Sequence, residues 1–318
     1  MTLCNTPTSA RVVVTEMGER FPGDLALLCD IARPQTAVVT NVGLAHAEHL
    51  GGLEGVADVL AELLGALPGD GVAVLNADDP WTARLATRTP ATVITVGVAE
   101  GAQYRVADVE LDGQLRPSFS LCGARLRVPL HGGHHVMNAA LAAAVAHHVF
   151  GMSFDEIAIE LAGASTGKWR MELLETDDAV TILNDAYNAN PTSMEAALTA
   201  LAHLPVSGRR IAVLGDMREL GVHHAEAHRA VGVRAAALHL DMIIGVGPGG
   251  ALIGETARTR GAPVEIVENA AAALESVDSL VGRGDAVLCK ASRAVGLEAV
   301  ADGLLARRRR HADESGAQ

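Results

Sequence analysis

Five short runs, Val180–Leu183, Ile211–Leu214, Met242–Val246, Val264–Val267 and Ala286–Cys289, recur with helix-length segments between them; the second, third and fifth carry no polar residue, and the others carry only Thr181 and Glu265. A run that is apolar at every position suits a strand buried on both faces. Parallel strands of that kind need a crossover, usually a helix, between one and the next. The spacing therefore predicts a doubly wound, Rossmann-like α/β domain over residues 179–306. One of its helices opens at Pro191, a residue favoured in a first helical turn.

Residues 11–150 show the same alternation. Val12–Val14, ending at Glu16, then Ala37–Val42, Val72–Leu75 and Val93–Val96 read as strands, with a helix over Asp24–Ile31. Val56, Val59, Leu60, Leu63, Leu64 and Leu67 keep the spacing of a helix with one buried face, and Pro68–Gly71 stops it. Over 103–130 the pattern becomes antiparallel, with turns at Asp112-Gly113 and Cys122-Gly123. Helices follow over Asn138–Phe150 and Phe154–Ala162. The expected organisation is a first domain over 1–164 with a mostly parallel sheet plus antiparallel strands. A Gly/Ser/Thr-rich boundary follows over 165–178, then the second domain and a solvated basic tail over 307–318.

Charge narrows the functional classes. The 318 residues carry 38 acidic against 25 basic side chains, a net charge of −13. Such a chain is poorly suited to wrapping nucleic acid or lying on anionic lipid. No apolar run is long enough to predict a membrane span. Cys4, Cys29, Cys122 and Cys289 form no paired motif, which argues against a cysteine-zinc or thioredoxin-like site. Free thiols, three of them in apolar or strand-like surroundings, and no visible leader fit a reducing cytoplasm.

The polar residues gather where the strands end. Glu16 closes one apolar run, and His46 follows the next across Asn41–Ala45. Consecutive strands often neighbour each other, so the pair is a candidate metal site in one crevice. Gly132-Gly133-His134-His135 precedes Asn138 at a helix start, and either caps it or reads a base or ribose. Asp185-Ala186-Tyr187-Asn188-Ala189-Asn190-Pro191 crowds the end of the second domain's first strand. Ligands of open α/β sheets bind at such ends. Leu214–Gly221 carries Asp216, Arg218 and Glu219, while Lys290-Ala291-Ser292-Arg293 would suit a carboxylate or phosphate. Gly163–Trp169 only imitates a Walker A loop: it follows a helix and has Trp169 where magnesium needs Ser or Thr. Gly245-Val-Gly-Pro-Gly-Gly250 matches a dinucleotide fingerprint, but it falls on the domain's third strand without a well-placed acid for a ribose, so a tight strand-to-helix turn is the preferred reading.

Together these segments resemble the Mur ligases, and within them the branch that adds D-alanyl-D-alanine to UDP-N-acetylmuramoyl-tripeptide. The residues carrying the resemblance are Thr15–Gly18, Thr40–His46, Leu75–Pro80, His134 with Asn138, Trp169–Glu172, Asp185–Met194, Leu214–Gly221 and Lys290–Glu298. The family forms an amide bond in peptidoglycan precursor synthesis at the expense of ATP, through an acyl phosphate, and needs Mg2+. By resemblance Glu16 and His46 would hold the magnesium. His134, Asn138 and Asp185 would contact the nucleotide, and Arg170 would reach its phosphates. Tyr187, Asn188, Asn190, Ser292 and Arg293 would lie near the dipeptide and the reacting centre.

The resemblance also marks departures. It begins partway through the family's second domain, without the uridine-nucleotide domain or the Walker A loop, so weak ATP-magnesium binding and exposed apolar surface are expected. A partner chain supplying the absent part is one expectation. Only Lys168 and Lys290 are lysines, and Leu60 stands where the family carries a carbamylated lysine. Two alternatives accompany the ligase reading: a non-catalytic paralogue that binds ligand or partner, and a dinucleotide-dependent oxidoreductase using Gly245–Gly250.

Overall fold

The structure, a computed structural model, describes residues 3–44 and 47–315, with side chains through Arg308 apart from Ala47. The first half contains α1 (Asp24–Ala32), β1 (Thr36–Val39), α2 (Ala47–Leu50), α3 (Leu53–Gly65), β2 (Val72–Asn76), α4 (Thr82–Ala86) and β3 (Thr92–Gly97). It continues through β4 (Tyr104–Leu111), β5 (Pro117–Leu121), β6 (Ala124–Arg127), α5 (His135–Phe150) and α6 (Phe154–Leu161). The strands form one sheet in the order β1-β2-β3-β4-β5-β6, parallel as far as β4 and antiparallel beyond. Alternation along β2 sends Ala73 and Leu75 to one face, against Ala57, Ala61 and Leu64 of α3. Val74 faces the other way, into a core with Ile94, Phe119, Leu121 and the alanines of α5. Those alanines let α5 lie close on the sheet.

The second half contains β7 (Glu172–Glu175), β8 (Thr181–Asn184), α7 (Pro191–His203), β9 (Arg210–Leu214), α8 (His224–Ala237) and β10 (Met242–Val246). Then come α9 (Gly247–Arg258), β11 (Val264–Val267), α10 (Ala270–Leu280), β12 (Ala286–Lys290) and α11 (Glu298–Ser315). Its sheet runs β11-β10-β9-β12-β8-β7, parallel except for β7 at the edge. Both faces are covered, by the clusters around α7–α9 and around α10–α11. The expected α/β architecture is therefore present in both halves.

Four expectations need correction. Val12–Val14 is irregular, with Val14 87% exposed, because no described strand supplies it a ladder. The expected boundary segment contributes β7, whose Glu172–Glu175 pairs with Thr181–Asn184. The expected tail continues α11 to Ser315. There Arg307 binds Asp278 (2.9 Å) and Glu275, and Arg308 binds Asp178 (2.8 Å). Last, Cys122 is exposed in its turn, whereas Cys29 and Cys289 are buried; all four thiols are free.

The halves meet through named contacts. Leu115, in the β4–β5 turn, is 2% exposed and belongs to the second half's core with Leu198, Leu201 and Leu204. The Glu48 amide donates to the Glu219 carbonyl (3.0 Å).

Asp285, just ahead of β12, closes the bottom of the second sheet. Its carboxylate accepts from the Arg209 amide (2.7 Å), the Gly282 amide (2.8 Å) and the Arg209 guanidinium (2.8 Å). Burial raises its pKa, but these donors outweigh that and leave it below the ordinary carboxylate value. A carboxyl depressed in the folded state stabilises the fold above its unfolded pKa, near 4, and loses that contribution as pH falls through the folded value. The urea midpoint of the native chain should fall between pH 5 and pH 3. Asp285→Asn should be less stable at pH 7 and flatter over that interval. An equally steep acid limb in the variant would contradict this assignment.

Candidate functional site

Strands β9, β12 and β8 are parallel neighbours, so three loops leave the same edge of the sheet. They carry Asp185–Asn190, Gly215–Gly221 and Ala291–Arg293. Backbone bonds knit them together. The Asp185 amide donates to the Cys289 carbonyl (2.9 Å), the Gly215 amide to Lys290 (3.0 Å), and the Ser292 amide to Asp216 (2.8 Å).

At the centre is a buried ion pair. Lys290, the last residue of β12, is 1% exposed and donates to Asp185 Oδ2 (2.6 Å) and to the Asn188 carbonyl (3.0 Å). Burial pushes the Lys290 pKa below its ordinary value, although the Asp185 carboxylate favours the ammonium. The other Asp185 oxygen accepts from the Met171 amide (3.0 Å), and the Tyr187 amide donates to the Trp169 carbonyl (3.0 Å). The 169–171 segment is thereby stitched to the 185–187 loop. Trp169 (φ 61°) and Met171 (φ 52°) hold left-handed backbone on either side of Arg170, a conformation that costs non-glycine residues free energy and that surrounding contacts must sustain.

Two cations lie over aromatic rings beside the ion pair. The Arg170 guanidinium is 3.9 Å from the Tyr187 ring centroid, and that of Arg293 is 4.2 Å from Trp169. Arg293 also pairs with Glu298. Ser292 is buried and its Oγ accepts from the Arg218 amide (2.8 Å). In an acidic chain this edge gathers exposed cations held in fixed orientations, an arrangement suited to phosphate or carboxylate.

The start of α5 faces the same pair. Burial and then the Lys290 charge push His134 down to about 4, although the residue as a whole is exposed. Burial and then His134 push His135 down to about 4. Both rings are neutral at pH 7. His135 Nε2 and Asn184 Nδ2 are buried without a protein hydrogen-bond partner, and such groups call for a ligand or water. Asn138, one turn into α5, is exposed.

The structure therefore brings together Arg170, Asp185, Tyr187, Asn188, Ser292, Arg293 and His134. Asn190 instead acts locally, as the cap of α7. Its Oδ1 accepts from the Ser193 amide (2.8 Å) and its amide donates to Ser193 Oγ (3.0 Å). Glu16 is exposed in the irregular segment and closes no strand. His46 lies outside the described residues, so the proposed Glu16–His46 pairing has no described geometry. Leu60 packs among Val56, Val59 and Leu64 on α3. The sequence reading missed Lys290 as the partner of Asp185 and Trp169 as a platform for Arg293. A lysine ending a fully apolar strand was the available signal.

The fingerprint-like turn has a packing explanation. A Cβ on Gly245 would stand 2.2 Å from the Gly250 carbonyl oxygen, and one on Gly250 would stand 2.6 Å from that of Leu214. These glycines let α9 press on β9 and β10, which removes the motif's argument for a dinucleotide.

Comparison with known proteins agrees with this fold. Residues 1–146 match the model of the Mur ligase middle domain, and residues 169–293 match that of the Mur ligase glutamate ligase domain. The UDP-N-acetylmuramoyl-tripeptide–D-alanyl-D-alanine ligase of Mycobacterium tuberculosis is 40% identical over 319 residues, covering 92% of this chain and 62% of the relative. The ligase of that name from Bacillus subtilis is 33% identical, covering 96% and 66%. Among solved structures, MurF from Acinetobacter baumannii superposes with a TM-score of 0.81 at 28% identity over 91% of this chain and 63% of that one. MurF ligase from Thermotoga maritima in complex with ADP gives 0.78 at 27% identity, over 93% and 67%. The chain spans about 62% of the length of the first of these curated relatives.

Proposed function

Because the chain belongs to the Mur ligase family, carrying its middle and glutamate ligase domains, we propose that it is the corresponding part of an ATP-dependent ligase. That ligase joins D-alanyl-D-alanine to UDP-N-acetylmuramoyl-tripeptide. The observation that carries this reading is the buried Asp185–Lys290 pair flanked by the Arg170–Tyr187 and Arg293–Trp169 stacks. ATP would supply the phosphoryl group that activates the tripeptide carboxylate for attack by the dipeptide amine.

Each residue then has a physical role. Lys290 fixes the Asp185 carboxylate, which keeps acceptor capacity toward a ribose hydroxyl. Neutral His134 and exposed Asn138 offer hydrogen bonds without charge to the base or ribose. Arg170, held over the Tyr187 ring, presents its donors to phosphate without first having to be ordered. Ser292 and Arg293 would bind a substrate carboxylate. Glu16 lies in the irregular segment, His46 lies outside the described residues and Leu60 cannot ligate, so no step is assigned to magnesium.

Thermal unfolding of the chain with ADP, D-alanyl-D-alanine or NAD tests the proposal. ADP should raise Tm saturably and NAD should not. Arg170→Ala should need at least about tenfold more ADP for the same rise, the loss expected for a charge-assisted hydrogen bond. Stabilisation by NAD and not by ADP would reverse the assignment.

A further inference from the structure

We infer that Asp216, His224 and His228 form a binding site for a divalent transition-metal ion of the zinc type. His224 and His228 are four residues apart on α8 and therefore share a face; Asp216 approaches from the loop after β9. Asp216 Oδ1 is 2.8 Å from His224 Nε2 and 3.0 Å from His228 Nε2. One donor atom from each residue lies within 4.8 Å of the others. Zinc bonds to imidazole nitrogen and carboxylate oxygen are about 2.0–2.2 Å, so one ion can reach all three.

The hydrogen bonding around His228 supports this reading. Its side chain is fully buried. Its Nδ1 donates to the His224 carbonyl (2.6 Å), and its Nε2 accepts from the Met217 amide (2.9 Å). Nε2 also lies 3.0 Å from Asp216 Oδ1, and a cation bound between them would take the place of the Met217 bond. The carbonyl acceptor at Nδ1 is the usual partner orienting a metal-bound imidazole. Gly249, at the start of α9, packs closely against the donors: a Cβ there would stand 2.3 Å from Asp216 Oδ1 and 2.6 Å from His228 Nε2, so only glycine lets the three groups meet. On the other side His224 and Asp216 are partly exposed, which leaves an entry path and an open coordination position.

The site is built on the loop that holds Ser292. Asp216 accepts from the Ser292 amide, and the Arg218 amide donates to Ser292 Oγ. A bound ion would pin that loop to α8. Its role is positional, since none of the three side chains belongs to the cluster around Lys290.

The test is a Zn2+ titration of the chelator-stripped chain against a chromogenic competitor, with Tm read in parallel. One equivalent should bind and Tm should rise. His224→Ala, at a half-exposed position, should fold normally, bind Zn2+ at least about 100-fold more weakly and lose the rise. Asp216→Asn should behave similarly, while His148→Ala should match the native chain. Zn2+ binding by the native chain no stronger than by His224→Ala, or no binding at all, would overturn the site.

Discussion

Replacing Lys290 with methionine is expected to cost the second domain about 3–5 kcal/mol, the usual penalty for removing one partner of a buried ion pair. Methionine fills much of the same volume, so the loss comes from charge. Asp185 would keep its Met171 hydrogen bond but lose its 2.6 Å ammonium partner in a largely dehydrated site. The Asn188 carbonyl would lose its donor as well. The double variant Asp185→Asn/Lys290→Met should recover part of the loss, because no uncompensated charge remains. Urea midpoints of the two single variants and the double variant give the coupling directly. Additive losses would mean that the two side chains do not depend on one another. A Lys290→Met midpoint within about 0.5 kcal/mol of native would contradict the buried pair outright.

Gly245→Ala is expected to cost about 2–4 kcal/mol, toward or beyond the upper end of ordinary overpacking. The new methyl would meet main chain, the Gly250 carbonyl at 2.2 Å, and main chain cannot swing aside as a long side chain can. Helix α9 would have to lift from β10, disturbing Ile243 and Ile253 in the adjoining core. Gly247 is a useful contrast. Its φ of 68° strains any side chain, but nothing nearer than 3.7 Å opposes a Cβ, so alanine there should cost about 1–2 kcal/mol. A phosphate-binding turn would give another pattern, with folding preserved in both variants and NAD binding lost. Comparing their unfolding midpoints separates the two accounts.

Much of the fold was legible because parallel strands buried on both faces are apolar at every position. The runs at Ile211, Met242 and Ala286 left little room for another reading. Val12–Val14 has the same local chemistry and forms no strand, since propensity supplies no ladder partner. Strand β7 escaped for the opposite reason: Glu172-Leu-Leu-Glu175 carries charges at both ends, as an edge strand can. The helix over the expected tail was hidden because Arg307 and Arg308 are neutralised by Glu275, Asp278 and Asp178, distant in sequence. In the site, the strand ends indicated where the polar loops gather. The partnership of Asp185 with Lys290 depends on β12 inserting between β8 and β9, a topological fact that no local pattern contains.

Leu115 has a further consequence. Its side chain belongs by sequence to the first domain and by burial to the second. Swinging the domains apart would return it to water, at about 1.5–3 kcal/mol for a leucine. From that contact alone the closed arrangement would outweigh the open one by a factor of about 10–150 at equilibrium. Any ligand that must enter between the domains therefore binds to a minority population, and its apparent affinity is lowered by that fraction. The β4–β5 turn thus acts as a spring constant for access to the cleft.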